Sequence, residues 1–229
     1  MKVVITSATE KETERIKSSI RDFYTNENTQ LGVTFHVSGV GILASCFSIA
    51  KLIFEQKPDL IIQAGIAGSF NSSLSPGEVV AVKHEFLADT GVEEENRFKD
   101  LFDLNLLSEN SFPFKERKLT NKHLFDLNFL QLEEVTSMTI NEITTRKARI
   151  EELKTKYGAQ IESMEGASLH YCCLQTSTPF IQIRAISNYI GERDKSKWNF
   201  KESLANLNDS VLKYVNHLPI DNTTINRIR

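Results

Sequence analysis

The sequence predicts an α/β fold, a three-layer α/β/α sandwich on a central mixed, mostly parallel sheet. Three observations lead there. Short β-rich runs alternate with helix-periodic segments along the whole 229-residue chain. One run, Leu60-Ile61-Ile62-Gln63-Ala64, is almost continuously apolar, as a strand buried on both faces of a parallel sheet would be. Glycine-rich segments, Ser38-Gly39-Val40-Gly41 and Gly65-Ile66-Ala67-Gly68, directly follow two of the strands.

Taken in order, residues 3–5 form a short buried strand. Residues 10–23 form a helix that opens on acids, as its positive N-terminal dipole favours. Residues 33–37 are a second strand, and apolar positions over 43–54 recur at helical spacing. Pro58-Asp59 leads into the apolar strand, and Pro76-Gly77 turns the chain into another at 78–82. Residues 88–121 mix charge, phenylalanine and weak periodicity, the pattern of a long active-site loop or insertion. Residues 135–140 are β-like, 144–157 a charged helix closed by Gly158 as a C-cap, and 159–161 a short strand. A helix over 165–174, a strand over 180–186 and an amphipathic helix over 200–215 complete the pattern. No repeat or linker divides it. One domain is expected over 1–218, with a flexible tail over 219–229.

Composition bounds the function. With 40% hydrophobic and 25% charged residues the chain reads as an ordinary globular protein. A net charge of -3 without a basic run gives no attraction to nucleic acid or to an anionic membrane, so a small-molecule partner is expected. Cys46, Cys172 and Cys173 sit in apolar stretches without the spacing of a disulfide framework or zinc site. Adjacent side chains diverge on a helix, so Cys172 and Cys173 are expected to pack rather than react. The apolar run at the N-terminus is too short for a signal peptide and no segment approaches a membrane span, which points to the cytoplasm.

Ligands of α/β sheets bind beyond the carboxyl ends of strands, so side chains at strand-to-helix junctions are the first candidates. Glu12 follows the first strand, Glu165 lies in Glu162-Ser163-Met164-Glu165-Gly166-Ala167, and Asn188 ends the strand containing Arg184-Ala185-Ile186-Ser187. Singly, these are first-turn acids and a cap, and the glycines are turn formers. Their convergence on one sheet edge favours a shared site.

Ser163-Met164-Glu165-Gly166-Ala167 followed by Arg184-Ala185-Ile186-Ser187 resembles the paired signature of the purine nucleoside phosphorylase and nucleosidase superfamily. Residues 1–12 and both glycine turns resemble the same group, so the similarity runs over residues 1–215. It implies a nucleoside phosphorylase-like fold, a purine nucleoside as substrate, a homodimer or larger homo-oligomer, and no metal or organic cofactor. It also implies Glu12 as the group activating water, and Glu165, with the backbone around Met164, as acceptor from the ribose hydroxyls. Gly65, Ala67 and Gly68 would let the backbone approach sugar or water closely.

Phosphorylases of this group recruit phosphate with basic side chains, whereas residues 65–71 contain no Arg, Lys or His, so water is the expected nucleophile. Lys11, between Glu10 and Glu12, is expected to point to solvent. Adenine-specific members carry an aspartate where Asn188 stands. Asparagine cannot be a general acid, but its amide can donate to N7 or O6 of a 6-oxopurine. Ser187-Asn188-Tyr189-Ile190-Gly191-Glu192-Arg193-Asp194 with Trp198, and Gly91-Val92-Glu93-Glu94-Glu95, resemble the futalosine hydrolase branch. That branch implies release of hypoxanthine from a nucleoside with an aromatic carboxylate on its 5′ side. Arg193 is the candidate for that carboxylate, with a surface ion pair to Asp194 as the equal alternative. Phe98 and Trp198 are candidates to wall the aromatic tail, beside the core role usual for such residues. An adenine-releasing nucleosidase, a phosphorylase and a non-catalytic nucleoside-binding protein remain the alternatives.

Overall fold

The computed structural model describes residues 1–23, 31–70, 72–95, 97–192 and 194–218. In chain order the strands are β1 (Lys2–Ser7), β2 (Gly32–Val37), β3 (Leu60–Ser69), β4 (Val79–Leu87), β5 (Gly91–Glu94), β6 (Arg97–Asp100), β7 (Leu119–Thr120), β8 (Glu133–Thr139), β9 (Ile161–Ser163) and β10 (Phe180–Tyr189). The helices are α1 (Glu14–Phe23), α2 (Ile42–Gln56), α3 (Leu124–Leu127), α4 (Lys147–Tyr157), α5 (Gly166–Thr176) and α6 (Phe200–Asn216).

The main sheet is mixed. β1 is parallel to β2 and β3, β10 to β3, and β8 to β4 and β9. β10 runs antiparallel to β4, β3 to β9, and β7 to β4. The mixed sheet agrees with the expected three-layer sandwich on a central mixed, mostly parallel sheet, but β10 pairs with both β4 and β3 and closes β10, β4, β8, β9 and β3 into a ring. The length of β3 makes this possible. Its Leu60–Gln63 half pairs with β1, and by Gly68 and Ser69 it has exchanged that neighbour for β9. Strand twist, accumulating along so long a strand, carries its two halves to different partners.

Period-two alternation directs β1 to two cores. Val3 and Ile5 join Ile16, Ile20, Leu207, Val211 and Val215 on the side of α1 and α6, whereas Val4 joins Ile49, Leu52, Leu169 and Cys173 on the side of α2 and α5. Helices thus cover both faces of this part of the sheet. Cys172 and Cys173 are free thiols in the second core, with the sulfurs of Cys46 and Cys172 3.7 Å apart.

Two segments depart from the expected elements. The helix expected over 10–23 is a 3-10 turn (Glu10–Glu12), a break at Thr13 (φ −125°, ψ 8°), and then α1. Residues 88–121 hold the β5–β6 hairpin and β7. They are held by the buried Asp100, which accepts N–H groups from Phe102 and Asp103, the Tyr157 hydroxyl, and an ion pair from Lys156. Polar clamps leave no hydrophobic period, which is why the sequence pattern there is weak. Among the described residues no helix is long and apolar enough to cross a membrane. The tail expected over 219–229 lies outside the described residues.

Candidate active site

β1, β3 and β10 are parallel neighbours, so their carboxyl ends lie side by side. A cavity of about 320 Å³ opens there, lined by Glu12, Ala67, Gly68, Met164, Glu165 and Asn188 among others. Its size suits a small-molecule ligand.

Glu12 sits in the 3-10 turn after β1. Its Oε2 accepts the Thr9 N–H (2.9 Å) and its Oε1 the Ile66 N–H (3.4 Å). Asn208 of α6 anchors the turn, donating to the Glu12 carbonyl (2.9 Å) and accepting the Ile16 N–H (2.8 Å). Burial raises the pKa of Glu12, and the Arg184 guanidinium opposes the rise. A carboxylate so placed is a stronger base than one in water.

Glu165 precedes α5. Its Oε1 accepts the Gly41 N–H (3.0 Å), which the turn delivers because Gly39 and Gly41 both adopt φ +83°. Its Oε2 lies 3.7 Å from Arg184 Nη1. Arg184, 1% exposed, also donates to Gln63 Oε1 (2.9 Å) and the Ile66 carbonyl (3.4 Å). One buried guanidinium thus pairs with Glu165 and offsets by its charge the burial of Glu12.

Asn188 reaches the cavity through a β-bulge. The β10–β3 register skips Ser187, so Ser187 and Asn188 both line the cavity where strict alternation would send one of them away. The amide orientation follows from its neighbours. Nδ2 is 3.0 Å from the Tyr189 carbonyl, which can only accept, and Oδ1 is 2.7 Å from the Ser187 hydroxyl. One amide N–H thus goes to Tyr189, and no described residue takes the other.

The profile of the Phosphorylase superfamily matches residues 2–217. The chain belongs to that superfamily. It is an enzyme of it, similar to nucleosidases, which are hydrolases acting on N-glycosyl bonds. Futalosine hydrolase of Thermus thermophilus is 27% identical over 187 residues, 79% of this chain and 80% of that protein. The 5′-methylthioadenosine/S-adenosylhomocysteine nucleosidase of Bacillus velezensis is 27% identical over 223 residues, 90% of this chain and 94% of that one. Among solved structures, the corresponding nucleosidase of Campylobacter jejuni superposes with a TM-score of 0.75 at 21% identity, covering 95% of this chain and all of that one. That of Neisseria meningitidis, in complex with methylthio-immucillin-A, gives 0.73 at 20%, covering 94% and 99%. At these identities the structures speak for the fold alone.

In this superfamily member Gly65 does not line the cavity. A Cβ there would stand 2.2 Å from Arg184 Nη1 and 3.1 Å from Glu12 Oε1, so the missing side chain makes room for the charge cluster beneath the cavity rather than for a sugar. Arg193 lies outside the described residues. Lys11 is exposed, as expected, yet it lines the cavity and is the one cationic side chain among the described lining residues. Trp198 lines the cavity too, donating its indole N–H to the Glu192 carbonyl (3.0 Å). Phe98 does not; Arg149 covers its ring at 4.1 Å, with Lys156 at 5.4 Å. None of the described residues of 88–121 lines the cavity.

Arg184 and Glu162 lie inside the sequence motifs without a role assigned there, and Asn208 lies outside every motif. A lone arginine inside the apolar run 180–186 was the available signal, since a buried guanidinium requires acidic partners. Nothing in the sequence marks Asn208, because the partners by which it anchors the Glu12 turn lie 192 and 196 residues away. Among the described residues no group of three or more His, Cys, Asp or Glu side chains is placed to hold a metal ion.

Proposed function

We propose that this chain hydrolyses the N-glycosidic bond of futalosine, releasing hypoxanthine and dehypoxanthine futalosine as a step of menaquinone biosynthesis. The orientation of Asn188 carries the reading. Its second N–H is a donor without a partner among the described residues, which O6 of a 6-oxopurine can accept and an adenine amino group cannot. A buried donor left unpaired by the wrong base costs enough to discriminate strongly.

Glu12 takes the proton of the attacking water, with Arg184 beside it keeping the carboxylate ionised. Glu165 accepts from the ribose hydroxyls, which favours positive charge developing at C1′ and so acts in the transition state. Met164, Ala67 and Gly68 form the surface against which the nucleoside rests. Trp198 and Lys11 suit an aromatic 5′ substituent ending in a carboxylate. Val40, Leu43 and Phe47 stand exposed on the α2 side, and Val40 also lines the cavity; we propose that this face joins a second copy in a homodimer, which sedimentation would detect.

The rival is a methylthioadenosine/adenosylhomocysteine nucleosidase, supported by the long alignment to the Bacillus velezensis protein. Incubation with futalosine, inosine and methylthioadenosine in phosphate-free buffer, with chromatography of the free base, separates the two. Hypoxanthine from futalosine is expected, with no acceleration by phosphate. Adenine from methylthioadenosine as the main product would overturn the reading.

A further inference from the structure

Hydrolysis leaves one task that Asn188 cannot perform. The departing base has to gain a proton, and a neutral amide has none to give.

Glu162 of β9 lies opposite Gly68 of β3 in the antiparallel register. It is buried, it lines the cavity, and no described residue gives its carboxyl a hydrogen bond or an ion pair. Its Cγ and Asn188 Nδ2 each lie 3.6 Å from the point that a Cβ on Gly68 would occupy, so the two side chains flank one glycine. Gly65 and Gly68 are three residues apart on β3, about 10 Å along a strand. Glu12 and Arg184 stand at the Gly65 end, and Asn188 and Glu162 at the Gly68 end. That spacing gives the cavity a water-and-sugar end and a base end.

We propose that Glu162 is the general acid that protonates the departing purine, a catalytic residue working beside Asn188. The inference rests on the site being that of a purine nucleosidase, but not on which purine it takes. As the C1′–N9 bond breaks, its electron pair passes to the purine and the Glu162 O–H proton moves to N7. The water oxygen bonds to C1′ and its proton goes to the Glu12 carboxylate. The products are a neutral base carrying N7–H and a sugar carrying a C1′ hydroxyl. Glu12 ends protonated and Glu162 ionised, and exchange with solvent restores both. Burial, and after it the facing Asp89 carboxylate, push Glu162 up to about 7, so it carries its proton close to neutral pH. Asp89 is itself held by the N–H groups of Asn141 and Glu142.

Wild type, Glu162→Gln and Glu162→Ala would be assayed on futalosine, inosine and methylthioadenosine, and on 4-nitrophenyl β-D-ribofuranoside, whose leaving group departs as a stabilised anion. General-acid loss predicts a fall in kcat of about 100-fold or more on whichever purine nucleoside the wild type cleaves, against less than about 5-fold on the nitrophenyl riboside. The wild-type kcat/KM on the purine should also decline as pH rises through about 7, and Glu162→Gln should lack that limb; this readout needs no nitrophenyl substrate. Equal losses on both substrate types, purine turnover near wild type, or an unchanged alkaline limb would overturn the assignment. A wild type that releases adenine instead of hypoxanthine would remove the futalosine reading and leave Glu162 to be judged on the adenine substrate. One that cleaves no purine nucleoside would overturn both.

Discussion

Gly65→Ala places a methyl group 2.2 Å from Arg184 Nη1, where carbon contacts are optimal at about 3.5–4.0 Å. The guanidinium must retreat, and it has little room. It is 1% exposed and tied to Gln63 Oε1, the Ile66 carbonyl and Glu165 Oε2. Overpacking a site of this kind costs about 1–3 kcal/mol, and a domain of this size loses about 2–4 °C of Tm per kcal/mol. A Tm lower by about 2–12 °C is therefore expected. Turnover should fall further than stability, about 100-fold in kcat, because displacement on the order of 1 Å at Arg184 disturbs the Glu165 carboxylate it pairs with and the charge felt by Glu12. Calorimetry and base-release kinetics read the two effects. In an Arg184→Lys background the colliding fork is gone, so the added cost of alanine should shrink by about 1 kcal/mol or more. An unchanged Tm and kcat in Gly65→Ala, or the same alanine cost in both backgrounds, would refute the packing argument.

Asn188→Asp should lower the ratio of hypoxanthine to adenine release, measured on paired nucleosides; an unchanged ratio would remove Asn188 from base recognition. Asn208→Ala unpins the Glu12 turn from α6, and we expect kcat to fall about tenfold or more with little change in KM. A KM effect alone would place Asn208 elsewhere. Glu85 is fully buried, and that burial pushes it up to about 7 against the opposing hydrogen bond from Thr139. Folded protein therefore binds a proton between pH 4.5 and about 7 that the unfolded chain has released, and stability falls as pH rises through that window. Glu85→Gln should show a smaller drop in urea midpoint from pH 5 to pH 8 than wild type, and equal drops would count against it.

Much of the site could be read from the chain because its parts are local. Strand-turn-helix junctions set Glu12, Met164, Glu165 and Asn188 at one sheet edge, and the cavity gathers them. The glycines were harder to read, since a glycine is defined by what its missing side chain admits. Gly65 admits Arg184 and Glu12, and Gly166 admits Glu85, whose Oε2 would lie 2.2 Å from a Cβ there. None of these three neighbours is near its glycine in sequence. For residues 88–121 the sequence leaves an active-site loop and an insertion as alternatives, because weak periodicity reveals irregular structure but not where that structure packs.

The sequence by itself determined most of the strands and helices outside residues 88–127, and which junctions carry acids and amides, because period, turn chemistry and residue type act over a few positions. Tertiary structure alone decided that the sheet closes on itself, that the charge of Arg184 acts on both Glu12 and Glu165, and that Glu162 and Asn188 flank Gly68. Those outcomes depend on how far a twisted strand coils and on charges brought together from distant segments, and burial then sets how strongly such charges act.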